Sequence, residues 1–182
     1  SAWRVSVQQQ QSDGFMRNRF LGRDDTNDRD ELTARFKWHW NASDSTQLDF
    51  ALLHADLDNG YDGWAIDNSR VTLSDDPGED SQRATGASAR LTTTAWAPYT
   101  LTMIASYVDS TNTNSFDADW GNAESWAPYT YDYFQRSDRD RTAATFEARL
   151  ASPAPTAAGE LGWIVGAYAL KLDEDGRDRL TG

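Results

Sequence analysis

Along much of the chain, apolar and polar residues alternate with a period of two. The clearest stretch is Arg29 to Trp40. Leu32, Ala34, Phe36, Trp38 and Trp40 fall on one parity, and Thr33, Arg35, Lys37 and His39 on the other. A strand sends successive side chains to opposite faces, so this stretch predicts a strand with one apolar, aromatic face and one polar face. Six further stretches predict strands: Trp3 to Gln10, Thr46 to Asp56, Arg83 to Ala95, Tyr99 to Asp109, Arg139 to Ala151 and Glu160 to Leu172. In the last, Ile164, Tyr168 and Leu170 oppose Trp163 and Val165. That parity fits either a bulge or burial on both faces.

The connections alternate in length. Asn41 to Ser45, Trp96 to Pro98 and Ser152 to Gly159 are short, whereas Gln11 to Asp28, Leu57 to Gln82 and Thr111 to Asp138 are long. Each strand has about the 9–11 residues that a tilted strand needs to cross a bilayer. Trp38, Trp40, Trp96, Tyr99 and Trp163 lie near the short connections and Tyr107 near a long one, as expected of amphipathic rings at a membrane boundary. The expected fold class is therefore all-β: an antiparallel, up-and-down transmembrane β-barrel segment of about seven strands, with long external loops and short periplasmic turns. On this reading Asp80 and Asn122 face outside, Ser43 and Ala157 face the periplasm, and Phe36, Leu52, Leu91, Met103 and Phe146 meet lipid. The rival account of the same pattern is the core of a soluble sandwich.

Composition adds three constraints. The 182 residues carry a formal net charge of -12, with no basic stripe, so no nucleic-acid partner is expected. There is no cysteine, hence no disulfide and no thiolate metal site. Mean hydropathy is -0.74, but a barrel strand spends only every second residue on lipid, so this value does not speak against a membrane. The acid is concentrated. Leu57 to Gln82 holds Asp58, Asp62, Asp67, Asp75, Asp76, Glu79 and Asp80 against Arg70, and Thr111 to Asp138 holds Asp117, Asp119, Glu124, Asp132 and Asp138 against Arg136. Such loops are either simply solvated or form a cation-attracting vestibule.

Sites for chemistry are sparse. Asp56 to Asp62 resembles the opening of a calcium loop, but Gly60 is fifth and Asp67 twelfth, where the EF-hand frame needs Gly sixth and Glu twelfth. Asn59-Gly60 reads better as a turn. Asp24 to Asp28 reads as a solvated turn. His39 and His54 have no metal-ligand spacing, and no metal site and no cofactor are expected. No nucleophile, zinc or phosphate-loop motif occurs, so the chain is not expected to be an enzyme. The aromatic content of the long loops is more informative. Tyr61, Asp62, Trp64, Trp120, Trp126 and Tyr129 are the candidate ligand-binding residues, with Trp64 and Trp126 expected to converge over the barrel mouth. The alternative is that these rings hold the loops to one another.

Several runs resemble the strand-loop pairs of TonB-dependent outer-membrane receptors. They are Ser12-Asp13-Gly14-Phe15, Arg23-Asp24-Asp25-Thr26-Asn27, Asp58-Asn59-Gly60-Tyr61-Asp62-Gly63-Trp64, Asp67-Asn68, Thr72-Leu73-Ser74-Asp75-Asp76-Pro77-Gly78, Asp119-Trp120-Gly121-Asn122 and Trp126-Ala127-Pro128-Tyr129. The resemblance covers residues 1–182, but only the barrel part of that family. It implies a barrel of roughly 22 strands in the outer membrane of a Gram-negative bacterium, closed by a plug. It implies uptake of a scarce ligand of siderophore, cobalamin or oligosaccharide class. The partners implied are outer-membrane lipid, that small-molecule or oligosaccharide ligand, and the TonB energy-coupling protein acting through the plug. Plug and C-terminal strands have no counterpart in the chain, which implies a segment of the barrel domain. The rival functions are a soluble all-β carbohydrate-binding module, a carbohydrate-active enzyme using loop carboxylates, and a passive porin.

Overall fold

A computed structural model describes residues 1–154 and 161–182. Nine strands run in chain order: β1 Ala2–Ser12, β2 Arg17–Asn18, β3 Arg29–Ser43, β4 Thr46–Tyr61, β5 Val71–Thr72, β6 Gly78–Thr93, β7 Thr100–Asp117, β8 Phe134–Ala151 and β9 Ile164–Thr181. The described residues contain no helix. The seven long strands make one antiparallel sheet in the order β1-β3-β4-β6-β7-β8-β9, and β2 pairs with β5 in parallel. Each long strand thus lies beside its neighbour in sequence, an up-and-down meander. Ser43/Thr46, Thr93/Leu101 and Ala151/Ile164 face each other at one end of the sheet, and Ser12/Arg29, Tyr61/Gly78 and Asp117/Phe134 at the other. Short and long connections therefore sit at opposite ends. The expected turn from Ser152 to Gly159, with Ala157, lies largely outside the described residues. Its flanks are closed by Ser152 N–H donating to the Trp163 carbonyl at 2.9 Å.

The register places the apolar parities of β1, β3, β4, β6, β7 and β8 on one face, joined there by Val165, Ala167 and Ala169 of β9. One row across the sheet reads Trp3, Trp38, Phe50, Ala89, Ala105, Phe146, Ala169, and the next reads Val5, Phe36, Leu52, Ala87, Tyr107, Ala144, Lys171. Towards the short turns the band continues through Trp40, Leu48, Leu91, Met103 and Ala148. Towards the long loops polar residues take over: the next row reads Val7, Ala34, His54, Thr85, Asp109, Thr142, Asp173, apolar only in β1 and β3. The opposite face carries Arg4, Lys37, Ala51, Ser88, Ser106 and Thr145 in register. It also carries His39, bonded to Asp49 at 2.7 Å across the strand pair. A hollow of about 540 Å³ opens near the short turns, lined by Arg4, Lys37, His39, Asp49 and Arg90 of the polar parity and also by Trp3, Trp38, Phe50 and Ile104.

A single layer of sheet has no interior. Met16, in a loop, is the one buried apolar residue among those described, and Trp3, Trp40, Leu52, Tyr107 and Phe146 on the apolar face are exposed.

Three expectations are corrected. The strands are longer than the alternation predicts. β4 runs on to Tyr61, β7 to Asp117 and β9 to Thr181, while β6 begins at Gly78 and β8 at Phe134. Beyond the apolar band both faces meet water, so the periodic signal vanishes while backbone pairing continues. Polar cross-strand contacts mark these extensions: Thr113 donates to Asp138 at 2.9 Å, Arg136 pairs with Glu79 at 2.9 Å, and Arg139 pairs with Asp178 at 2.8 Å. Asn59-Gly60 is not a turn. It stays in β4 opposite Glu79 and Asp80, and Gly60 is needed because a Cβ would sit 2.6 Å from the Thr26 carbonyl oxygen. Finally, β9 has no bulge. Its register with β8 is continuous, with Val165, Ala167 and Ala169 on the apolar face and Tyr168, Leu170 and Leu172 on the other.

Gly14 and Gly22 both have positive φ, at 86° and 66°. A Cβ on Gly14 would overlap the Asn27 backbone carbonyl, whereas one on Gly22 would meet nothing within 4 Å. Gly22→Ala should cost about the 1–2 kcal/mol of the left-handed conformation. Gly14→Ala should cost clearly more, because the steric overlap adds to it. Equal loss of stability in denaturant melts would contradict this packing of the start of the first loop against its end at Asn27.

Candidate functional site

The three long connections do not wave independently; they are laced into one cap. Loop 1 (residues 13–28) meets loop 2 (62–77) through the β2/β5 pair. Arg17 N–H donates to the Arg70 carbonyl at 2.9 Å, and Arg19 N–H to the Thr72 carbonyl at 3.0 Å. Loop 2 meets loop 3 (118–133) through Asp75 N–H donating to the Gly121 carbonyl at 3.0 Å and Asn122 Nδ2 donating to the Leu73 carbonyl at 2.6 Å.

At the centre of the cap is a buried polar knot. Asn18 Nδ2 donates to Asp62 Oδ2 at 2.9 Å and to the Ser74 carbonyl at 2.8 Å, and its Oδ1 accepts from Leu21 N–H at 2.8 Å. Thr72 Oγ1 donates to the same Asp62 oxygen at 2.8 Å. Asn18, Asp62, Thr72, Ser74, Ser115, Asp117 and Asn122 are all buried. Polar groups shielded from water cost free energy unless bonded to each other, so such a knot specifies one loop arrangement.

Asp117, at the end of β7, does two things. Its Oδ1 accepts from Asp119 N–H at 3.0 Å and from Trp120 N–H at 2.9 Å. That grip holds Trp120 at φ 62°, a left-handed conformation costly for a bulky residue and a mark of sites where geometry is imposed. The result is that the Trp120 ring stacks on Trp64 from loop 2, with centroids 5.5 Å apart and planes 13° apart. Burial pushes the Asp117 carboxyl up to about 6, and the nearby Asp119 adds to the rise. The Ser74 hydroxyl, close enough to temper the shift, does not reach hydrogen-bonding geometry with it. Burial also raises Asp75, reinforced by Asp119, Asp76 and Asp132.

The sequence candidates divide into two groups. Tyr61 packs edge-on against Phe116 with centroids 6.3 Å apart, and Asp62 is committed to the knot. Trp126 does not stack on Trp64. It is half-buried, its Nε1 donates to Asp119 Oδ1 at 3.1 Å, and its ring meets Tyr131 edge-on. The ring from loop 3 that joins Trp64 is Trp120. Trp64, Trp120 and Tyr129 are exposed, at 50%, 41% and 64%. Tyr129 stacks on Tyr131 with planes 12° apart, and Tyr131 lies beside Tyr133. Tyr131 and Tyr133 extend the aromatic surface beyond the residues singled out by sequence; their spacing of two residues was the available signal. Asn18 and Thr72 gave none, because polar loop residues read as solvated. Flat, exposed rings backed by a fixed scaffold can stack on an apolar ring face of a ligand. Among the described residues no group of three or more His, Cys, Asp or Glu side chains is arranged to hold a metal. Comparison with known proteins finds no matching family model, no matching curated protein and no matching solved structure.

The raised carboxyl of Asp117 fixes the sign of a pH effect. Between about 3.8 and 6 the folded cap retains a proton that the unfolded chain releases, so stability falls as pH rises through that window. With divalent cations removed, the cap should melt at a higher temperature at pH 5 than at pH 7.5, and Asp117→Asn should flatten that difference. A parent and variant with the same pH slope would contradict the buried placement of this side chain.

Proposed function

We propose that the chain is a segment of the barrel wall and external loops of an active-transport receptor of TonB-dependent type, in the outer membrane of a Gram-negative bacterium. The observation that carries this reading is the apolar band. It crosses the sheet on one face and gives way to polar residues towards the long loops, after Ala169 in β9, after Leu52, Ala87, Tyr107 and Ala144 in β4, β6, β7 and β8, and after Val7 and Leu32 in β1 and β3. Tyr99 to Tyr107 is nine residues, eight rises of about 3.4 Å and so roughly 27 Å along the strand, or about 21 Å along the barrel axis at a tilt of roughly 40°. That compares with the apolar belt of about 25 Å on outer-membrane barrels. The hollow on the polar face is in keeping with a sheet that curls around a polar lumen. The outer edges of β1 and β9, with no partner among the described residues, would continue into further strands, since open edges of this length invite aggregation. The rival soluble carbohydrate-binding module needs a second layer over the band, and the described residues contain none.

In this account the loop cap faces outward and captures a siderophore, cobalamin or oligosaccharide. Trp64, Trp120 and Tyr129 present the contacting rings, while Tyr61, Asp62 and Trp126 hold the cap together. The chain binds and guides; it carries out no bond-making step. Energy coupling through TonB acts on a plug, outside this segment.

Parity gives the decisive test. Leu91→Arg or Met103→Arg, on the apolar face, should cost roughly 2–4 kcal/mol of folding free energy of the full-length protein in lipid vesicles. Thr92→Arg and Thr102→Arg, on the polar face of the same strands, should cost much less. Equal costs on both parities would remove the membrane assignment.

The capture role is tested separately. Trp64→Ala and Trp120→Ala should each weaken binding of the transported ligand by on the order of 1–3 kcal/mol, the scale of an interface anchor, without unfolding the cap. Trp126→Ala should instead lower cap stability. Unchanged affinity in both Trp64→Ala and Trp120→Ala would make the stack architectural.

A further inference from the structure

We propose that Arg4, Arg35 and Lys37, on the polar face of the sheet, bind the phosphate group of a small water-borne phosphate ester whose organic part enters the adjoining hollow. Arg4 lies on β1, and Arg35 and Lys37 stand two residues apart on β3. The register sets Arg4 directly opposite Lys37 and Ser6 directly opposite Arg35, so all four share one face. Together they line a hollow of about 120 Å³, with three cations, one hydroxyl and no carboxylate. A single water needs only about 10–15 Å³, so the space admits a polyatomic group. Arg4 and Lys37 also line the larger hollow of about 540 Å³, which makes the two hollows neighbours.

Charge points to an occupant. The chain holds 29 acidic residues against 17 basic ones, and bases elsewhere on the sheet find carboxylates. Arg83 pairs with Asp56 at 3.2 Å, and Arg139 with Asp178 at 2.8 Å. Among the described residues Arg4, Arg35, Lys37 and Arg90, the Arg and Lys residues of the two hollows, have no carboxylate within ion-pairing distance. Asp49, the carboxylate on the larger hollow, is bonded to His39 at 2.7 Å. Like charges set directly opposite across two strands repel. Water hydrates each of them but cancels no charge; an anion seated between them does.

The number of donors selects the anion. A phosphate monoester carries a charge of about −1.5 to −2 at pH 7 and three acceptor oxygens, one for each cation. Guanidinium forks suit such oxygens bidentately, and lysine meets them as a point charge. A carboxylate brings a single charge and two oxygens, which leaves a cation unmet. The larger hollow takes the rest of the ester, with Ala51 and Ile104 as apolar wall and His39 and Arg90 as polar contacts. The site lies on the face opposite the apolar band, which favours a water-borne ester over a lipid headgroup. The inference goes beyond the transport reading and depends on neither the bilayer nor the loop cap.

The test is isothermal titration calorimetry of the full-length protein at low salt in an uncharged, phosphate-free detergent. The probe is 1-naphthyl phosphate, compared with 1-naphthol, 1-naphthoate and dihexanoyl phosphatidic acid. One-to-one, saturable binding of 1-naphthyl phosphate is expected, roughly tenfold or more tighter than that of 1-naphthol or 1-naphthoate, the scale of one charge-assisted hydrogen bond. Arg35→Gln and Lys37→Gln should each weaken it by a similar factor, and Lys37→Arg should retain it. Arg179→Gln, on β9 and on neither hollow, should bind like the parent. Removing one of two facing cations relieves repulsion, so Lys37→Gln should melt no lower than the parent without probe, which separates lost binding from lost fold. The proposal is overturned if the parent gives no saturable heat at millimolar probe, or if 1-naphthoate binds as tightly as the phosphate. Tighter binding of dihexanoyl phosphatidic acid, the mark of a headgroup site, also overturns it. So does parent-like binding in both Gln variants, or an equal loss in Arg179→Gln, which would mean diffuse attraction.

Discussion

Backbone hydrogen bonding in a surface one layer thick is the constraint from which the rest of this structure follows. Seven long strands satisfy one another's N–H and C=O groups edge to edge, and among the described residues no second layer covers either face. The usual stabilising term, apolar side chains removed from water by other side chains, is nearly missing: of the described apolar residues only Met16 is buried. Yet one face is apolar in every strand. At roughly 25 cal/mol per Å² of apolar surface removed from water, such a face is a large unrealised stabilisation unless another medium covers it. On the proposed reading a lipid bilayer would supply that medium to the whole face at once.

The same strands serve a second purpose where the apolar face ends. There β4, β6, β7, β8 and β9 continue as polar ribbons, which carry the three long loops away from the apolar band. Loops so raised still need order if they are to present a fixed surface. Here order comes from polar groups: the Asn18–Asp62–Thr72 knot, the Asn122–Leu73 bond and the Asp117 grip on Trp120. Burying charge and amide in place of leucine costs stability but selects one arrangement, and that arrangement sets Trp64 against Trp120.

Sequence exposed the first of these layers better than the second. Alternation located the seven long strands, and the register puts Phe36, Leu52, Leu91, Met103 and Phe146 on one face. It failed where its cause failed. From Asp58 to Tyr61 or Ser110 to Asp117 both faces meet water, so no period separates strand from loop. The parity of β9 was ambiguous because Leu170 and Leu172 are apolar on the opposite face, which also carries Leu53, Ile104 and Val108; pairing with β8 resolves it. The two-residue strands β2 and β5 are too short for any pattern. Within the cap, Asp62 was legible as notable but not as buried, and nothing in the sequence marked Trp120 as the ring that stacks on Trp64. Which loop ring meets Trp64 depends on the backbone turn that Asp117 imposes on Trp120, and that is a contact, not a spacing.

The central claim is that the apolar face meets lipid while the opposite face meets water. Single nitroxide labels placed from Leu101 to Tyr107 in the full-length protein, reconstituted in vesicles, test it most directly. Collisions with lipid-dissolved oxygen and with a water-soluble nickel complex are measured at each position. The account predicts a period of two: oxygen favoured at 101, 103, 105 and 107, nickel favoured or oxygen reduced at 102, 104 and 106. Accessibility without alternation, or nickel access at every position, would contradict it.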